Sequence, residues 1–456
     1  MFCAYPVDNS CTDFARFSPV DNVPVIPPVS QGYPQPFKHV ENLDFTGKNL
    51  VIHKFTIPTT ITTEIFYFYI PERPFQPERK LSTIMKLTFQ KADLLGGINI
   101  VLKAVPSKTT MPILECILID ASTKEIKLTG NDMELGIETK VEGTVVEKGK
   151  IALDAKLFSE IIRKLPDSDS TLSIESDASF NTVIKCEKSV FRIQGKDGEE
   201  FSYLPYIEKN KYICLSQFTL KELIRQTIFS ISVNDSNKIM TGELFEVNGD
   251  HLRVASLDGH RMAIRRITLN EVYENVKAIV PGKTLNEVSK ILTGDHDSEV
   301  RIFFGNNQIL FEFDDTIVLS RLIEGEFFKI DQMLSSDYSV KVAINRRELL
   351  ESIERASILV RENDKKPIIL NIQDGKMSLR LNSSFGTMND EIVIHKTGQD
   401  LMIGFNPKFM IDALRIIDDE VVTIYMMNAK SPGFIRDEEE RYVYLILPVN
   451  FSSASV

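Results

Sequence analysis

Lys156-Leu157-Phe158-Ser159-Glu160-Ile161-Ile162-Arg163 returns as Lys283-Thr284-Leu285-Asn286-Glu287-Val288-Ser289-Lys290, and again as Lys408-Phe409-Met410-Ile411-Asp412-Ala413-Leu414-Arg415. In every copy two cations stand seven positions apart with apolar residues at helical spacing between them. Each stretch therefore predicts a helix with one buried face and one basic stripe. The copies begin 127 and 125 residues apart. A repeat of that length implies three similar domains in series.

The signals around each basic helix recur as well. Every repeat opens with another helix: 219–222 and 345–348 read as capping boxes, and 90–93 as a weaker one. Leu94, Leu95 and Ile98, then Leu223, Ile224 and Ile228, then Leu349, Leu350 and Ile353, give these helices one apolar stripe each. Asn248-Gly249 and Asp374-Gly375 predict hairpin turns between alternating apolar runs, and 121–124 holds the matching place in the first repeat. Short strands at 151–153, 278–280 and 401–405 lead into the basic helices; strands at 171–174, 299–303 and 421–425 follow them. Two helices and roughly eight mostly antiparallel strands per repeat make an α+β plan of three tandem domains, 85–207, 208–333 and 334–456. Domains with helices on one face of a sheet expose edge strands, and lining them up edge to edge covers those edges. Arcs and rings follow from such an arrangement.

Charge separates the inside of that arrangement from the outside. The chain has a formal net charge of −11, and residues 85–456 carry 46 Lys+Arg against 56 Asp+Glu. Six cations at matched helix positions in an acidic chain are placed rather than scattered. If the three helices line one concave wall, the wall suits a nucleic acid held through its phosphates with no base read, and the acidic remainder repels it.

Several other classes are disfavoured. Five cysteines with no CxxC pair argue against a zinc site or a disulfide framework and for a reducing compartment, the cytoplasm. No run approaches the roughly 18 apolar residues of a membrane span, so no membrane partner is expected. The six histidines have no metal-ligand spacing, and no cofactor is expected. Residues 1–84 hold eleven of the twenty prolines and read as a mostly disordered leader. Within it, the aromatic run at 60–70 is strand-like and able to dock. Met85 opens the first repeat directly and is the expected native start.

Ser256-Leu257-Asp258-Gly259-His260-Arg261-Met262 is the densest cluster of reactive side chains. Asp258 and His260 share a strand face, but no Ser or Cys nucleophile is placed to join them. A hydrolase thus lacks its central group, and a local turn with a solvent-facing His and Arg is the reading composition favours. Gly282-Lys283-Thr284 resembles the end of a phosphate-binding loop, yet Lys277 stands where the leading glycine belongs. A repeat-built adaptor that never touches DNA would account for the repeats but not for the matched cations.

Taken in order, several motifs resemble one family, the bacterial sliding clamp or β subunit of DNA polymerase III. The likeness runs from Met85 to about Phe451 through Met111-Pro112-Ile113-Leu114, Leu128-Thr129-Gly130-Asn131-Asp132-Met133-Glu134, Leu257-Asp258-Gly259-His260-Arg261-Met262-Ala263, Ile279-Val280-Pro281, Ile403-Gly404-Phe405-Asn406 and Leu447-Pro448-Val449. This resemblance implies a non-catalytic processivity factor, a head-to-tail homodimer whose six domains close a ring with helices lining the hole. Its implied partners are double-stranded DNA, the replicative polymerase catalytic subunit, the clamp-loader ATPase complex and other proteins carrying clamp-binding peptides.

By the same resemblance, Lys108 and Asn234 join Lys156, Arg163, Lys283, Lys290, Lys408 and Arg415 at DNA. Phe191 and Ile193 of one subunit meet Ile358 and Leu359 of the other. Partner peptides enter a pocket of Met240, Leu257, Gly259, His260, Arg261, Met262, Phe328, Met333, Leu445 and Leu447, with Phe409 and Val449 beside it. The chain departs from the family pattern at Phe328, where many relatives have Pro, and at Asn450, where Arg is usual. The extension 452–456 also falls near that pocket.

Overall fold

The computed structural model describes residues 83–451, apart from 168–170, 234–235, 335–336 and 362–365. The aromatic run at 60–70, Asn234 and the extension 452–456 lie outside the described residues.

Among the described residues six α-helices come in three pairs: α1 (Lys91–Val101) with α2 (Ala155–Lys164), α3 (Gln217–Thr227) with α4 (Gly282–Ile291), and α5 (Arg346–Ser357) with α6 (Pro407–Ile416). Side-chain caps start four of them. Asp154 accepts from the Leu157 N–H, Ser216 from Thr219, Asn345 from Glu348 and Asn406 from Lys408. The expected box at 345–348 thus forms, but α3 begins earlier than the box at 219–222 predicts. Ser216 is its cap, and Thr219 supplies the N–H that the Ser216 hydroxyl accepts. Gln90 makes no side-chain cap.

Each pair is also closed at its far end by one device. A cation near the start of the first helix donates to a carbonyl at the end of the second: Lys91 Nζ to Leu165 O at 2.6 Å, Lys221 Nζ to Leu292 O at 3.0 Å and Arg346 Nη1 to Leu414 O at 3.2 Å. These carbonyls have no partner within their own helices, and the helix dipole favours a cation there.

The strands of the described residues form four antiparallel sheets, two of which run across repeat boundaries. In the nine-stranded sheet, Leu135–Val141 of the first repeat pairs with Thr316–Arg321 of the second, Thr139 standing opposite Thr316. Their hydroxyls share a buried 2.8 Å hydrogen bond. In the seven-stranded sheet, Arg261–Pro281 pairs with Tyr442–Ile446, with Arg261 opposite Ile446 and Arg265 opposite Tyr442. Each internal boundary therefore consumes one edge from either side, and neither is left open to pair with another chain. Ser189–Gln194 of the first repeat and Gly386–Val393 of the third each end a sheet with one side unpaired among the described residues.

Asp374-Gly375 makes the expected two-residue hairpin, with Gly375 at φ +78°. Asn248-Gly249 lies inside one long extended element, Gly242–Leu257, yet the chain reverses there. Arg253 Nε reaches Glu246 Oε2 at 2.6 Å, whereas seven residues of straight strand would hold their backbones about 23 Å apart. Gly249 adopts φ +64°, a conformation open to glycine at little cost.

One large apolar core spans the first two repeats and a second fills the third. A smaller cluster of Leu244, Leu257, Met262, Ile330, Phe434 and Leu445, among others, sits under the boundary between repeats two and three.

Candidate functional site

The basic helices bury one side and expose the other, as their spacing predicts. Phe158, Ile161 and Ile162 of α2, Leu285 and Val288 of α4, and Met410, Ile411 and Leu414 of α6 are buried. Lys156, Arg163, Lys283, Lys290, Lys408 and Arg415 are all exposed, as is Lys108 in the turn after α1. Their charges are not equally available. Among the described residues Lys156, Arg163, Lys408 and Lys108 carry no ion pair. By contrast, Lys283 stands 2.5 Å from Asp132, Lys290 2.7 Å from Glu287, and Arg415 2.8 Å from Glu354. Exposed pairs of this kind are worth under about 1 kcal/mol, so a polyanion can recruit these cations at small cost.

Further ion pairs connect one helix pair to the next. Lys103, just past α1, lies 3.8 Å from Glu287 on α4, and Arg225 on α3 lies 2.9 Å from Asp418, just past α6.

At the boundary between repeats two and three, ten of the residues expected at the peptide pocket come together: Met240, Leu257, Gly259, His260, Arg261, Met262, Phe328, Met333, Leu445 and Leu447 line one cavity of about 340 Å³. Two larger grooves, of about 710 and 520 Å³, have more mixed or polar linings, with Glu246, Arg253 and Lys277 in one and Arg380, Asp390 and Glu391 in the other. The smaller cavity is the one whose walls are mostly apolar, the feature a hydrophobic anchor needs. Phe409 and Val449 do not line it. Phe409 instead stacks on the Arg261 guanidinium, 4.4 Å from its ring centre, and the Val449 N–H donates to Gly404 O. Pro432 is a lining residue that sequence reading missed. Its only local signal is the turn Ser431-Pro432-Gly433, which says nothing about what it faces.

The 258–262 wall is held by charge. Asp258 Oδ1 accepts the backbone N–H groups of His260 at 2.9 Å and Arg261 at 3.1 Å, and Oδ2 accepts Arg261 Nε at 3.0 Å. Gly259 takes φ +86° to make this turn. The Asp258 carboxylate is thereby committed to structure. The His260 ring stacks near Phe409, with no serine or cysteine drawn to it among the described residues. The turn forms and His260 is exposed, but Arg261 is buried rather than solvent-facing, because its guanidinium is taken up by Asp258 and Asp412.

One fully buried carboxyl gave no sequence signal. Among the described residues Glu243 has no hydrogen-bond partner at either oxygen, the nearby Thr227 hydroxyl being spent on Leu223 O at 2.7 Å. Burial pushes its carboxyl well above the usual carboxylate range.

Three family models match end to end: the DNA polymerase III beta subunit N-terminal domain over residues 85–205, its central domain over 214–329 and its C-terminal domain over 331–450. The chain belongs to the DNA polymerase III beta subunit family. A "Beta sliding clamp" of Staphylococcus aureus is 33% identical over 377 residues, covering 80% of this chain and 99% of that protein. A solved structure of a putative DNA polymerase III beta subunit from Eubacterium rectale is 64% identical with a TM-score of 0.78, covering 80% of this chain and 100% of the other. The DNA polymerase sliding clamp of Bacillus subtilis is 34% identical, also at a TM-score of 0.78, over 81% of this chain and 100% of its own. Family membership makes the chain a non-catalytic subunit. No helix among the described residues is long and apolar enough to cross a membrane.

Proposed function

We propose that the chain works as a sliding clamp, a DNA polymerase processivity factor that encircles duplex DNA and tethers the replicative polymerase by a short peptide. The observation that carries this reading is the recurrence of exposed cations at one helix position in all three repeats of a chain whose net charge is −11. The linking pairs Lys103–Glu287 and Arg225–Asp418 support a continuous helix order of α2, α1, α4, α3, α6, α5, with its cations facing one polymer. Contacts of this kind neutralise phosphates without reading sequence, and a closed ring turns weak contacts into long retention.

Repeat logic supports the ring. The strand Leu135–Val141 meets Thr316–Arg321 at the first boundary, and the matching strands meet at the second, within Arg261–Pro281 and Tyr442–Ile446. Their third counterparts are Gly386–Val393 and Ser189–Gln194, each of which has an unpaired side among the described residues of a single chain. Two chains joined head to tail would pair both edges twice and close six domains. Phe191 and Ile193 lie on the Ser189–Gln194 edge. Exposed Ile358 and half-buried Leu359 follow α5, with Leu359 lying over Gly386 on the other edge. The domains are assigned as 85–207, 208–333 and 334–456, and the clamp-loader ATPase complex, other clamp-motif proteins and a cytoplasmic setting accompany this function.

The test is retention on nicked circular DNA after assembly by a clamp loader. Retention that resists moderate salt and is lost when the circle is cut to a linear form supports encirclement. Equal loss from circular and linear DNA would refute it.

A further inference from the structure

Arg261 is the most heavily engaged side chain at the pocket, and its partners come from two repeats. Besides Asp258, its Nη1 donates to Asp412 Oδ2 at 2.6 Å and its Nη2 to Phe229 O at 2.6 Å; its guanidinium stacks between Phe229 and Phe409, 5.4 and 4.4 Å from the ring centres. Asp412 and Phe409 are both on α6. Within that helix Asp412 is four residues from Lys408 and three from Arg415, about 40° around the axis from the first and 60° from the second. It is therefore an acid seated at the flank of the basic row, near enough to pair with either cation. It pairs with neither. Lys408 has no ion pair among the described residues, and Arg415 turns to Glu354.

Arg261 thus does two jobs with one guanidinium. It forms part of the cavity wall, and it holds a negative charge off the face that the proposed function turns toward DNA. Only about a tenth of it is exposed, so it cannot meet a new partner in the pocket without loosening one it has.

We propose that Arg261 and Asp412 form a clasp through which an occupied peptide pocket weakens the hold of α6 on DNA, and DNA weakens peptide binding by the same factor. A peptide that draws Arg261 toward its own carbonyls releases Asp412, which then neutralises part of the Lys408–Arg415 row. Phosphates resting on that row disfavour a freed carboxylate and hold Asp412 on Arg261, which opposes the peptide. Linkage makes the two effects equal in free energy. This inference rests on the pocket and the basic row acting as the proposed function has them.

The test uses the full chain, a 30-base-pair duplex and an uncharged peptide ending in leucine and phenylalanine and carrying a neutral BODIPY label. Peptide affinity is read by anisotropy at low salt, with and without saturating duplex. In the native chain the duplex weakens the peptide about five-fold or more, the low end of usual couplings. High salt, at which duplex no longer binds, removes the shift and leaves peptide affinity in place. Asp412→Asn binds both probes with no shift, and Phe409→Leu, which loosens the same grip without touching charge, reduces it. Equal peptide affinity with and without bound duplex, or an undiminished shift in Asp412→Asn, overturns the clasp. A peptide that fails to bind the native chain even without DNA overturns the pocket reading itself, a result distinguishable from bound peptide showing no shift.

Discussion

Lys283 of the second repeat holds its Nζ 2.5 Å from Oδ2 of Asp132 in the first, whereas its counterparts Lys156 and Lys408 have no acidic partner among the described residues. Asp132 is the better fixed of the two. Its Oδ1 accepts the N–H groups of Glu134 at 3.0 Å and Leu135 at 2.6 Å, so it stays in place whether or not Lys283 leaves. The repeated cations are thus equal in sequence but unequal in available charge.

The first prediction follows from that inequality. Lys156→Ala and Lys408→Ala should each lower the dependence of log K on log salt by about one phosphate contact, a slope change near 0.9. Lys283→Ala should lower it less, and Asp132→Asn should raise affinity for duplex at low salt. Salt titrations of binding to a short duplex measure all four. Equal losses for the three lysines would show that the Asp132 pair has no weight in solution.

A second prediction concerns the pocket. Leu447 is partly exposed at its mouth, so a charge there costs little folding but places an unpaired ion against the apolar wall. Leu447→Asp should weaken a leucine- and phenylalanine-bearing peptide at least about thirty-fold, the effect of losing a strong anchor contact of ~2 kcal/mol. Met333→Ala should weaken it less, because methionine adapts its shape and removing it trims only one wall. Fluorescence anisotropy with circular dichroism as a folding control reads both.

How much of this was legible in the chain differs from element to element. The basic helices were, because period 3.6 and a seven-residue cation spacing point the same way in three copies. The Asp374-Gly375 turn was legible too, since glycine at positive φ between alternating strands leaves few other readings. The start of α3 was not: Ser216 and Thr219 both carry hydroxyls suited to a cap, and only the fold decides which one faces the free amides. The pocket was beyond composition or spacing. Its walls come from segments near 240, 257–262, 328–333, 432 and 445–447, brought together by a strand pairing that links two repeats. Family resemblance supplied those residues apart from Pro432 and set Phe409 beside them, where its ring serves Arg261 instead of the cavity.

The third prediction addresses assembly. Ile358 is 81% exposed and Phe191 37% exposed, a poor arrangement for apolar side chains unless something covers them. Ile358→Asp combined with Leu359→Asp should convert a dimer to monomers in multi-angle light scattering, and Phe191→Asp should do the same from the other side of the joint. Each change is expected to weaken association by roughly 2 kcal/mol or more, typical of central apolar anchors. A double variant that stays dimeric at micromolar concentration would reject this placement of the joint.

Glu243 gives the last prediction, and its sign is fixed by where its proton prefers to be. The folded chain buries the carboxyl with no hydrogen-bond partner among the described residues and raises its pKa, so folding favours the protonated form. Stability from this group is fully present below the ordinary glutamate pKa and is lost as pH rises toward the folded value. At neutral pH the native chain must either retain a proton that the unfolded chain has released or bury a charge, and both cost stability. Glu243→Gln keeps nearly the same shape with no proton to hold. Its melting temperature should exceed that of the native chain at pH 8, by several degrees, and the advantage should shrink steadily and vanish by about pH 3, well below the ordinary glutamate pKa of about 4.3, where glutamate is protonated folded or unfolded. Thermal unfolding across that range reads the difference directly. An advantage that stays constant with pH would mean that Glu243→Gln merely improves packing and that the buried acid is not what limits stability.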